Sequence, residues 1–195
     1  MFILYAIPLG LLAGLLAGGT IGGLAGLRFR LAWVALAGLA LQLVLFSEPV
    51  TAVVGDAGVP LYIGSTVLVL GSILANWRIR GLVLVAIGAA CNLAAIVANG
   101  GYMPADEAAY AEQGRQVAEG YSNTKVIADP QLAFLTDVIV MPGWMPFANV
   151  ISLGDILIGM GMVVVVVLGM RSAPRRGRLA ASAPAGGPAE DPAAA

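Results

Sequence analysis

A chain of 195 residues that is 59% hydrophobic and 11% charged, with a mean hydropathy of +0.92, is too apolar for a water-soluble domain. Such composition places it among polytopic membrane proteins. Histidine is absent and Cys91 is the one cysteine, which excludes histidine acid–base chemistry, the usual zinc sites and an intrachain disulfide.

In chain order, five apolar runs approach membrane-spanning length: about Ile3 to Leu27, Leu31 to Phe46, Pro60 to Ala75, Gly81 to Ala98, and Ile151 to Met170. Lipid offers nothing to hydrogen-bond a bare backbone, so each run is expected to be helical. The second and third are short, and their flanking arginines are expected to snorkel to the interface. The start, from Met1 to Leu4, lacks the basic n-region of a secretory signal and reads as a retained first helix. The predicted fold class is therefore all-α: a polytopic membrane bundle of five transmembrane helices with an extracytoplasmic loop subdomain. Residues 1–98 hold helices one to four, 99–150 the loop, 151–170 helix five, and 171–195 a disordered cytoplasmic tail.

Lysine and arginine set the expected orientation. Arg28, Arg30, Arg78, Arg80, Arg171, Arg175, Arg176 and Arg178 fall on one side, and only Arg115 and Lys125 on the other. The acidic residues from Glu48 to Asp137 gather on that second side. The positive-inside rule then puts the N-terminus outside and the C-terminus in the cytoplasm of a bacterial cytoplasmic membrane. Trp33 and Trp77 at inner ends, and Tyr5, Tyr62 and Trp144 at outer ends, fit aromatic belts.

Helix one carries Gly10, Gly14, Gly18, Gly22 and Gly26 at intervals of four, with Gly19 and Gly23 beside them. Small residues at that spacing allow close helix approach, either within the bundle, in a homodimer seam or in a pore-lining helix. Each step of four drifts about 40° around a helix. One straight partner cannot follow all five, so two neighbours share them or the helix deviates near Gly18-Gly19-Thr20. The turns Arg28-Phe29-Arg30 and Arg78-Ile79-Arg80 resemble each other, which fits an internal duplication but equally fits the charge bias alone.

Polar residues in membrane helices are expensive and therefore candidate sites. Gln42, Asn92 and Asp155 fall in the outer halves of their helices, with Asn99 and Asn149 near the same surface. They form a candidate polar pocket beneath the loop. Ser152-Leu153-Gly154-Asp155 also has the S-x-x-D form of a helix capping box, a role that requires no ligand. Asn92 equally suits an interhelical hydrogen bond.

Within the loop, Pro104 to Glu119 reads as a short helix ending at Gly120, with Glu112 and Arg115 able to pair along it. Phe134 to Met141 is apolar except for Thr136 and Asp137 and too short to span, and together with Pro142 to Phe147 it reads as an interfacial segment. Asp137 and Asp155 could act as an acid/base pair. No phosphate loop, nucleophile signature, metal motif or basic aromatic face for nucleic acid is present, so no cofactor and no nucleic-acid partner is expected.

Asn-Gly-Gly-Tyr-Met-Pro (residues 99–104), Phe-Leu-Thr-Asp-Val-Ile (134–139) and Asn-Val-Ile-Ser-Leu-Gly-Asp (149–155) together resemble an uncharacterised bacterial integral-membrane family, a domain of unknown function with N-G-G-x-M-P and S-x-G-D motifs. The resemblance covers Met1 to about Met170 and implies the same membrane architecture, with no known activity. Three functional readings stay open: a non-enzymatic scaffold or accessory subunit binding a partner or lipid through the loop, a small transporter or channel, and an enzyme on a lipid-linked substrate. The lipid bilayer, and a second copy or another membrane protein, are the expected partners.

Overall fold

The computed structural model describes residues 3–112 and 122–172. The rest of the predicted loop helix, with Arg115, and nearly all of the predicted tail lie outside the described residues. Helices dominate: α1 (Ile3–Leu16), α2 (Ile21–Leu24), α3 (Ala32–Leu45), α4 (Glu48–Val54), α5 (Gly58–Leu74), α6 (Leu82–Ala98), α7 (Glu107–Glu112) and α8 (Leu153–Met170). A 3-10 turn, Gly55–Ala57, joins α4 to α5, and the merged helix Glu48–Leu74 and α8 are the two long and apolar enough to cross a membrane. The other apolar helices are shorter: Leu4–Leu16, Ala32–Leu45 and Leu82–Ala98.

The long helices pack in the order α1, α8, α6, α5, α3, so α8 lies between α1 and α6. Glycine makes that central position possible. Gly81 and Gly88 on one side face Gly154 and Gly161 on the other, both pairs seven residues apart. A Cβ at Gly161 would stand 2.7 Å from the Gly81 carbonyl oxygen, and one at Gly88 would stand 2.9 Å from the Ile158 amide nitrogen. The backbones are in contact, as small residues in helical seams permit.

The predicted first run is not one helix. Gly18 adopts φ +75° and the chain breaks between Leu16 and Ile21. The break lets Thr20 N–H donate to the Met170 carbonyl (2.9 Å), tying α1 and α2 to the end of α8. Of the five predicted glycines, Gly10 packs on Val166 and Gly14 on Met170, both within this chain. Gly18 faces open space, Gly22 and Gly26 meet nothing beyond their own local chain, and Gly19 and Gly23 take over the contact with Met170. The break at Gly18 accounts for the division, because the glycines beyond it no longer continue the face of α1.

Strands correct the all-α expectation for the loop. β1 (Met103–Ala105) pairs in parallel with β2 (Thr124–Val126), and β3 (Ile139–Val140) pairs antiparallel with β4 (Val150–Ile151). Pro104, expected early in a helix, instead sits buried in β1, and α7 starts at Glu107 behind the Asp106 carboxylate, which accepts from Ala109 N–H at 2.8 Å. Side-chain capping of this kind is what aspartate supplies at a helix start.

Two apolar cores hold the ends of the bundle. At the loop end Leu45, Tyr62, Ala95, Ile96, Met103 and Leu135 pack together, with Phe46 edge-on to Tyr62 at 5.3 Å. At the arginine end Leu82, Val85 and Val165 do so. Large apolar side chains cover the outward faces as well, Leu16 at 81% exposure and Leu43 at 75% among them.

Candidate functional site

The loop end of α8 begins with a double hydrogen bond. Ser152 Oγ accepts from Asp155 N–H (3.1 Å) and Asp155 Oδ2 accepts from Ser152 N–H (3.2 Å), the capping box written in the sequence. Asn92 on α6 then completes a network. Its Nδ2 donates to Asp155 Oδ1 (2.9 Å) and its Oδ1 accepts from Ser152 Oγ (2.9 Å). One amide therefore bridges both capping residues across the α6–α8 seam. Gly154 makes the bridge possible, because a Cβ there would collide with the Asn92 side chain.

Asp137 approaches from above. It leads into β3, and its backbone is fixed on both sides: its N–H donates to Pro104 O (3.0 Å) and its carbonyl accepts from Asp106 N–H (3.1 Å). The carboxyl group accepts no hydrogen bond among the described residues and is close enough to Asp155 for their charges to interact. Burial, and secondly the Asp155 charge, push its pKa up to about 7 from the ordinary carboxylate value of 3.8. Such a carboxyl group keeps its proton well above the usual carboxylate range.

Tyr62 on α5 belongs to the same assembly, its hydroxyl paired with the Asn123 side chain and within the field of both carboxylates. The sequence marks Tyr62 only as an interfacial aromatic and gives Asn123 no role. Neither the interhelical approach of Tyr62 nor the strand β2 that carries Asn123 to it leaves a local signature.

Other predicted members fall elsewhere. Gln42 donates to Ser65 Oγ (3.1 Å) and Thr66 Oγ1 (3.2 Å) on α5, joining α3 to α5 rather than the cluster. Asn149 contributes its carbonyl to Met141 N–H (3.0 Å), extending the β3–β4 ladder. Asn99 grips the loop: Nδ2 donates to Gln131 O (2.9 Å) and Oδ1 accepts from Gln131 N–H (2.8 Å). Gly100 and Gly101 follow with φ of +72° and +94°, where a side chain is strained, and a Cβ at Gly101 would strike Val59. The Asn-Gly-Gly turn thus ends α6 and anchors residue 131 at once.

Replacing Asn99 by alanine removes both bonds to Gln131 and leaves those backbone groups dependent on water. The expected outcome is faster cleavage by a soluble protease within residues 122–150 with little loss of helicity. Equal cleavage rates in variant and wild type would show that the loop is held by other contacts.

The loop also carries exposed apolar side chains on a fixed backbone: Trp144 at 83%, Phe147 at 73% and Phe134 at 68% exposure. The Tyr5 hydroxyl donates to the Pro146 carbonyl, joining this surface to the start of α1. Among the described residues no three His, Cys, Asp or Glu side chains gather as a metal site.

Residues 26–167, well over half of the chain, match the family described as a family of unknown function, DUF5317. No curated protein and no solved structure is similar to the chain.

Proposed function

We propose, for this chain that belongs to the DUF5317 family, a role as an integral membrane scaffold or accessory subunit whose folded loop caps one end of a five-span bundle and binds a second membrane component there. The observation that carries the reading is the exposure of Phe134, Trp144 and Phe147 on a loop whose backbone is held at Gln131 by Asn99 and at Pro146 by Tyr5. Exposed apolar patches on ordered structure mark interaction or membrane surfaces.

Membrane embedding is supported by the apolar outward faces of the long helices. α1 and α3, of 14 residues each, rise about 21 Å, less than the ~30 Å hydrocarbon core, so their flanking turns must share the crossing. All described arginines outside the loop lie at the opposite end from it, which supports a cytoplasmic arginine end and an external loop. For transport a polar route would have to continue toward the arginine end. The buried polar side chains there are occupied: Asn76 donates to Arg30 O (2.7 Å) and Ser72 O (2.8 Å) and accepts from Arg30 N–H (2.7 Å), and Ser72 Oγ donates to Leu31 O (2.9 Å).

A photocrosslinking residue at position 144 tests the proposal in intact cells. A discrete protein adduct, or strong quenching of Trp144 fluorescence by brominated lipids without an adduct, identifies protein or lipid as the bound component. A residue at 144 that neither crosslinks nor is quenched would sink the reading.

An enzyme acting on a lipid-linked substrate is the second reading, favoured by the interacting Asp137 and Asp155 carboxyls. A group near neutral pKa is suited to giving and taking protons. Loss of turnover in Asp137→Asn, with the loop still folded, would move the protein to that class.

A further inference from the structure

The opposite end of the bundle holds a cleft of about 610 Å³ between the α5–α6 turn and the C-terminal end of α8. Its lining carries Arg78, Arg80 and Arg171 beside the apolar Leu27, Ile79 and Leu168. The volume lies within the roughly 300–1,000 Å³ of small-molecule sites. We propose that this cleft binds the headgroup of an anionic phospholipid, with the phosphate among the arginines and the upper acyl chain against Leu27, Ile79 and Leu168.

Among the described residues no carboxylate pairs with the three arginines, and residues 57–105 carry no acidic side chain. Arg78 lies over the Trp77 ring at 5.7 Å, a stack that limits where its guanidinium can go. The exposed carbonyls at a helix C-terminus would ordinarily repel an anion. Here they are taken: Val167 O accepts from Arg171 N–H (3.2 Å), Leu168 O from Ser172 Oγ (3.0 Å), Gly169 O from Ser172 N–H (3.1 Å), and Met170 O from Thr20 N–H (2.9 Å).

The apolar side chains beside the arginines argue for a lipid over a soluble phosphate, since an inorganic or sugar phosphate gains nothing from Leu27, Ile79 and Leu168. A zwitterionic headgroup would set its own cation against three guanidinium groups. Trp33 and Trp77, exposed at 72% and 61%, mark the same end as headgroup level. Basic pockets between helices on the cytoplasmic side are where anionic headgroups are held.

The proposal rests on the membrane reading, and the test separates the two. Full-length protein that fails to sediment with membranes after carbonate extraction ends the membrane reading itself. Given a membrane protein, native mass spectrometry from detergent compares phosphatidylglycerol with phosphatidylcholine of matched chains, and with glycerol 3-phosphate alone. The expected result is at least tenfold preference for phosphatidylglycerol and no retained glycerol 3-phosphate. Each of Arg80→Gln and Arg171→Gln should lower that preference roughly fivefold. Arg80→Lys should retain most of it, and Arg28→Gln, outside the lining, should leave it unchanged; circular dichroism checks that each variant is folded. Equal binding of the two lipids, or of glycerol 3-phosphate and phosphatidylglycerol, overturns the proposal, as does an Arg28→Gln effect equal to that of Arg80→Gln.

Discussion

At pH 8 the Asp137→Asn variant should be more stable than the wild type, and at pH 4 the two should unfold together. Burial and the Asp155 charge raise the folded-state pKa of Asp137 to about 7, against 3.8 for an ordinary aspartate. Between those values the native protein keeps a proton that the unfolded chain has lost. Stability therefore falls as pH rises through the window and levels off above the folded pKa. One pKa unit corresponds to about 1.4 kcal/mol, so the full displacement is worth on the order of 2–4 kcal/mol, toward the lower figure for a half-buried side chain that water partly screens. Asparagine keeps the shape and removes the ionisation. A pH series of thermal midpoints in gentle detergent reads the effect directly. Parallel curves for variant and wild type from pH 4 to 8 would show that Asp137 titrates as an ordinary surface carboxyl group.

That a chain so apolar should place a near-neutral carboxyl above a capped helix was only partly legible from its residues. The capping box was, because Ser152 and Asp155 lie three apart and their geometry is local. Asn92 stands out as a polar residue in an apolar run, though nothing local says that it meets both capping side chains. Its reach depends on the glycine seam of Gly88 and Gly154, which brings α6 and α8 into backbone contact. The strands escaped detection for a physical reason. β1 and β2 are three residues each and pair across some twenty positions, too short for a two-residue hydrophobic period to register. The left-handed backbone at Leu31, Leu132 and Phe147 had no glycine to announce it either. Long-range packing dictates those conformations, and the hydropathy that reveals helices says nothing about them.

The same seam supplies the second large prediction. Gly88→Val should destabilise the bundle far more than Gly71→Ala, although both replace a glycine inside an apolar helix. At Gly88 a Cβ meets the Gly154 carbonyl oxygen and stands 2.9 Å from both the Ile158 amide nitrogen and Ile158 Cγ1, while at Gly71 nothing lies within 4 Å. A flexible side chain could swing away, but a backbone cannot, so α6 and α8 must separate. Overpacking costs about 1–3 kcal/mol where neighbours can adjust, and occasionally more; here the upper end or beyond is expected. Gly71→Ala should be neutral or stabilising by about 0.5–1 kcal/mol, since alanine loses less freedom on becoming helical. The damage at Gly88 should also travel. Asn92 sits one turn along the same helix and bridges to Asp155 and Ser152, so separating α6 from α8 stretches both bonds and loosens the chain that leads into β4. Denaturation in detergent measures the first effect and protease cleavage within residues 122–150 the second. A Gly88→Val protein as stable as Gly71→Ala would mean that the two helices do not touch at this seam. A destabilised variant whose loop is cut no faster than the wild type would show instead that the loop is held independently of α8, by Asn99 and the β1–β2 pairing alone.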